Sequence, residues 1–272
     1  MKTVRAALAL LIVCAPFLAT GAWTPPPQPD PRVIHNEARK DRMEGRFDDA
    51  LARHLWLHRE GAKADPRWEG VRLSFALGDW AHLAQKHAPA MEAFKAAREA
   101  AEADVRAGRE AASAFADFAA INRELDEPGR TVALFAWVEA RDAALARDVY
   151  RFAEHALVES GDYKTAMKYM DANASMARAV RVHMAMIRNM PKNSDEDAPK
   201  RAREVMAREA GRIIAVLVHN GRRAHAKVIA EQAIGVSDAP EVRKVIEAAL
   251  EGTVPKEALS RGDKATLRQM MP

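Results

Sequence analysis

His54 and His58 stand four residues apart, a spacing that puts two imidazoles on one helix face, where they could hold a transition metal. The run between them reads His54-Leu55-Trp56-Leu57-His58. It lacks the glutamate that a zinc-peptidase helix places after its first histidine. Nine histidines on long helices produce such a pair by chance, so no metal is expected. Met167, Met170, Met176, Met184, Met186 and Met190, with His183, form a denser group. Soft thioethers select copper(I), but methionine also fills irregular helical cores. Met167 and Met170 fall on the core side of their helix, and packing is the expected role. No nucleophile elbow, phosphate-binding glycine loop or dinucleotide fingerprint is present. Ser113, Ser160 and Ser175 have no readable partner, and Glu154, Glu159 and Asp162 are what solvated faces and helix ends carry. The chain is read as not an enzyme, with no catalytic residue and no cofactor.

The elements that carry these residues are helices. Val149–Asn173 reads as one helix, a Gly161-Asp162-Tyr163 turn and a second helix. Tyr150, Ala153, Leu157, Ala166, Met170 and Asn173 fall at helical intervals on either side of the turn. A pair this short cannot bury its own apolar face and needs like neighbours stacked on it. Similar pairs are predicted over 33–60, turning at Gly45-Arg46-Phe47, and from Pro66 on, turning at Gly78-Asp79-Trp80. An amphipathic helix follows over 89–107, with Met91, Phe94, Ala97 and Ala101 on one side. Further pairs are predicted over 110–141, with a turn at 126–130, and over 202–233, turning at Asn220-Gly221-Arg222. A Met-bearing helix over 174–190 and a polar loop over 191–199 precede the last pair. A capping helix over 239–251 and a loose tail over 252–272 complete the chain.

The turn glycines stand at 45, 78, 129, 161 and 221, and two of the intervals are 33 and 32 residues. Here the chain resembles the tetratricopeptide-repeat family, whose unit is 34 residues. Gly161-Asp162-Tyr163 with Ala166, Gly78-Asp79-Trp80 with Leu83, and Gly45-Arg46-Phe47 with Ala50 match that family's turn. Gly221 with Ala226 keeps the glycine and alanine without the aromatic. The family's helix A glycine is replaced by Ala38, Val71, Glu154 and Ile214, and the closing proline is mostly missing. The resemblance covers about two-thirds of the chain. It implies an all-α, tetratricopeptide-like right-handed helical-hairpin solenoid over 33–251, irregular, with about four or five helix pairs.

Stacked pairs curve, and the first helix of each pair tends to line the concave side. The resemblance then implies that His35, Arg39 and Arg42 project there in the first pair. Trp68, Arg72 and Phe75 hold the corresponding positions in the second, and Arg151 and His155 in the fourth. Guanidinium binds carboxylate in two-point fashion and aromatic rings supply contact area. The expected occupant is a peptide segment, acidic or ending in a free carboxylate, and the expected function is non-catalytic protein binding as a scaffold or adaptor.

Composition agrees with an all-α reading. The chain is 49% hydrophobic but only 6% aromatic, so alanine carries much of the apolar count, and alanine favours helix. No alternating run bounded by hairpin turns appears. Met1–Ala22 has a signal-peptide layout: Lys2 and Arg5, the apolar stretch 6–18, and small residues before Trp23. Pro16 interrupts the apolar stretch, which is short for a membrane span. Removing the segment lowers the formal charge from +4 to +2, which gives no clustered basic face for nucleic acid. The proline-rich stretch over 23–32 would be an extended tether with no place in a core.

Cys14 is the only cysteine, so an exported mature chain would hold no disulfide and rely on its core alone. With its alanine and arginine content, this signal type points to the periplasm or envelope of a bacterium. The alternative readings are an enzyme or enzyme accessory of envelope metabolism, or a membrane-tethered structural protein.

Overall fold

The computed structural model describes residues 23–190 and 197–255. The signal-peptide reading of 1–22, most of the loop reading of 191–199 and the tail beyond 255 lie outside the described residues. Every regular element among the described residues is helical. The chain divides into two compact units, Met1–Trp68 and Glu69–Pro272.

The first unit holds α1 (Pro31–Met43) and α2 (Phe47–Ala64), packed on each other, and a single 3-10 turn over Pro66–Trp68. Pro31 starts α1 without wasting a donor, and the Asp30 carboxylate accepts from Arg32 N at 2.8 Å. Ile34, Ala38, Ala50 and Leu57 form the seam between the helices. The tether reading gives 23–32 no part in packing, and Trp23 corrects that. Its ring meets Trp56 edge-on at 6.4 Å and lies under the Arg53 guanidinium at 4.9 Å.

The second unit begins with a continuous helical passage: α3 (Glu69–Val71), a π-type turn over Arg72–Ala76, and α4 (Leu77–Ala84). There follow α5 (Ala88–Ala107), α6 (Ala111–Leu125), α7 (Pro128–Glu139) and α8 (Ala143–Glu159). Then come α9 (Tyr163–Tyr169), α10 (Ala172–Arg188), α11 (Ala198–His219), α12 (Arg223–Val236) and α13 (Pro240–Leu250). Packing runs in chain order. α6 touches α4, α5, α7 and α8, while α11 touches α9, α10, α12 and α13. Phe115, Phe135, Tyr150 and Tyr169 link α6 to α9 through ring contacts of 5.5–6.3 Å.

Three of the five turn glycines do what their sequence suggests. Gly45, Gly161 and Gly221 have φ of +79°, +79° and +72°, a conformation that costs other residues a Cβ clash. At each, two amides close the preceding helix in the same way; Asp162 N reaches Leu157 O at 2.9 Å and Gly161 N reaches Val158 O at 3.1 Å. The other two are corrected. Gly78-Asp79-Trp80 is buried inside α4, where Trp80 packs edge-on against Phe94 at 5.0 Å. Burying Leu77, Trp80 and Leu83 together favours continuing the helix through this glycine. Gly129 lies within α7, because Asp126 takes the left-handed position at φ +62°. Gly108, at φ +70°, is an additional turn glycine between α5 and α6. The 33- and 32-residue intervals therefore do not separate equivalent turns.

These glycines make opposite predictions. Gly161→Ala should cost about 1 kcal/mol through backbone strain alone, since nothing lies within 4 Å of its added Cβ. Gly129→Ala, equally unobstructed, should gain about 0.5 kcal/mol from helix propensity. Urea unfolding of both variants checks this, and equal losses would contradict the helical placement of Gly129.

The helix expected to run through Asn173 stops at Tyr169. Met170 is extended at ψ 123°, and the Asp171 carboxylate caps α10 by accepting from Ala174 N at 3.0 Å. The tail's first residues are packed, contrary to expectation. Thr253 N donates to Ala248 O at 2.9 Å, and Pro255 rests on Gly211, where a Cβ would lie 2.6 Å from the proline ring.

Candidate functional site

A groove of about 830 Å³ opens on the second unit. Ala116, Ala119 and Ala120 of α6 and Ala156 of α8 give it a floor of small side chains. Arg123 of α6, Arg151, Phe152 and His155 of α8, and Arg212 of α11 supply larger, polar or aromatic walls. Residues 151 and 155 are four apart and so share one helix face. His155 Nδ1 lies 3.6 Å from Glu159 Oε2, one turn further on.

The widened π-type turn reaches this groove through Leu73 and Ser74. A π turn disturbs the regular ladder of carbonyl acceptors. Two side chains answer it: Arg123 Nη2 donates to Leu73 O at 2.8 Å, and Ser74 Oγ to Gly70 O at 2.6 Å. Arg123 thus ties α6 to the turn while lining the groove. At the other end Tyr163 stacks on His219 at 4.0 Å, and His219 Nε2 donates to Gly252 O at 2.8 Å. That bond holds the chain leaving α13, so Val254 and Pro255 become part of the groove wall.

Of the eight residues expected to project into a groove, Arg151 and His155 line this one. His35 and Trp68 are corrected, because both are buried in the first unit with their rings 5.4 Å apart. Trp68 fills the space left by Gly61, where a Cβ would sit 2.6 Å from its ring. Arg39 and Arg42 are half-buried in that same unit. Arg72 is also corrected. It is 5% exposed, and its guanidinium is taken by Glu69 at 2.7 Å and by Asp117. Phe75 is exposed but does not line the groove. Sequence reasoning misses Phe152, Arg123 and Arg212; only its place beside Arg151 on the helix could have pointed to the first.

No protein-family model, curated protein or solved structure matches this chain. Its chemistry must be read from the side chains. Among the described residues no group of three or more His, Cys, Asp or Glu could hold a metal. His54 is buried, and His183 Nδ1 lies 3.1 Å from Ala202 O. Met170 and Met176 are buried, while Met184 and Met186 are exposed. No described helix is long and apolar enough to cross a membrane.

Asp117 gives the unit a pH dependence. Burial pushes its carboxyl up to about 6 against the opposing pull of Arg72. A carboxyl raised on folding binds its proton more tightly in the folded chain. Its stabilising contribution is full below the unfolded value near 4 and is lost as pH rises through about 6. Burial raises Glu154 as well, in the same direction. Asp117→Asn should therefore flatten the change in stability between about pH 4 and pH 6. Carboxyl-carbon NMR should show an Asp117 midpoint near 6, and a midpoint below about 4 would contradict this.

Proposed function

We propose that the second unit is an irregular tetratricopeptide-like solenoid that binds a peptide segment in the groove over α6 and α8. Two observations support the arrangement. Contacts follow chain order, and α4, α6 and α8 touch as alternate helices, with α5 and α7 each joining two of them. The groove itself carries the functional reading: an open channel of about 830 Å³ whose alanine floor admits a backbone and whose Arg151, Phe152 and His155 offer charge and ring area. Arginine and aromatic residues are the types that dominate binding energy at protein interfaces.

In this reading the protein is a non-catalytic scaffold or adaptor. The signal-like segment at residues 1–22 supports a place in the bacterial periplasm or envelope. Selection of a displayed random-peptide library on the full chain tests the binding function. Enrichment of a peptide motif is expected, with loss of that binding in groove variants. Failure to enrich any motif, or enriched peptides indifferent to the groove, would count against it.

A further inference from the structure

Beside the groove, a smaller cleft of about 330 Å³ shares Arg151, His155 and Arg212 with it and adds Glu154, Arg178 and Glu209. Three helices converge there. Residues 151, 154 and 155 come from one face of α8, Arg178 from α10, and 209 and 212 from α11. Arg212 is paired with Glu209. Arg178 faces only Glu154 among the described residues, at 3.5 Å and with half of its side chain exposed. Arg151 has no carboxylate partner among the described residues, and its guanidinium lies over the Phe152 ring at 4.5 Å.

We infer that this cleft is an oxyanion site, made for a doubly charged group such as a phosphate or two neighbouring carboxylates. Guanidinium keeps its proton at any ordinary pH, so the charges of Arg151, Arg178 and Arg212 persist in the cleft. Glu209 offsets one of them. Glu154, 3.5 Å from Arg178, offsets part of a second while burial works against its charge, and Arg151 faces no carboxylate among the described residues, so positive charge is in excess. Two planar forks lining one cleft from different helices offer more donors than a single carboxylate takes up, and a dianion has the oxygens to use them. The inference rests on the groove reading only for the guest that would carry the anion.

Arginine Nε NMR of the full chain tests it, with inorganic phosphate and succinate titrated against chloride at equal ionic strength. Saturable shifts at Arg151, Arg178 and Arg212 are expected with at least one of the two dianions, and the tighter one identifies the source. Arg178→Ala should weaken that binding about ten-fold, the effect of losing one charged hydrogen bond. Glu154→Gln should strengthen it by removing the opposing charge. Shifts no larger than those of chloride, or an unchanged affinity in Arg178→Ala, would overturn the site. If such an Arg178→Ala chain still binds a selected peptide at the groove, the anion inference fails alone and the groove reading stands.

Discussion

Phe135→Ala is expected to destabilise the second unit by about 3–5 kcal/mol, the range for removing a large buried aromatic side chain. Phe135 is fully buried. It meets Phe115 of α6 at 6.2 Å, Tyr150 of α8 at 6.3 Å and Tyr169 of α9 at 5.5 Å, all edge-on. Edge-to-face ring pairs add to the area term, and four helices lose a shared contact at once. The neighbours are rings held by their own helices, so the space cannot close easily. Urea unfolding followed by circular dichroism measures the loss, and hydrogen exchange should accelerate most in α6–α9. A loss under about 1 kcal/mol would mean that the ring cluster is not the centre of this unit.

The second large effect concerns binding. Arg151→Ala with Phe152→Ala should lower the affinity for a groove-selected peptide about 100-fold, as expected when two anchor residues are removed. Arg151 is exposed and Phe152 half-buried, so the fold should survive both changes. Lys227→Ala, exposed on α12 away from the groove, is the control and should bind normally. Calorimetric titration gives both affinities. Equal binding by the double variant and the control would remove Arg151 and Phe152 from the site.

Local features of this fold are legible in the sequence, and features made by distant residues are not. The turns at Gly45, Gly161 and Gly221 can be read because a glycine ending a helix writes its own conformation. Gly78 looks identical to them. What decides it is the burial of Trp80 against Phe94, in the next long helix, and no turn pattern carries that information. Arg151 and His155 are found together because one helix face holds both. Arg72 is misplaced because its partner Asp117 lies 45 residues away and draws it into the interior. Trp68 is misplaced because Gly61 makes room for its ring. Arg123 escapes notice because its place is set by a widened turn in another helix.

The groove over α6 and α8 is the proposed seat of the peptide. Hydrogen exchange of the full chain, with and without a library-selected peptide, tests it most directly. Slowed exchange should be confined to α6, α8 and the π-type turn at Arg72–Ala76, with α12 unchanged. Protection centred on α12 or on the first unit, with α6 and α8 unaffected, would contradict it.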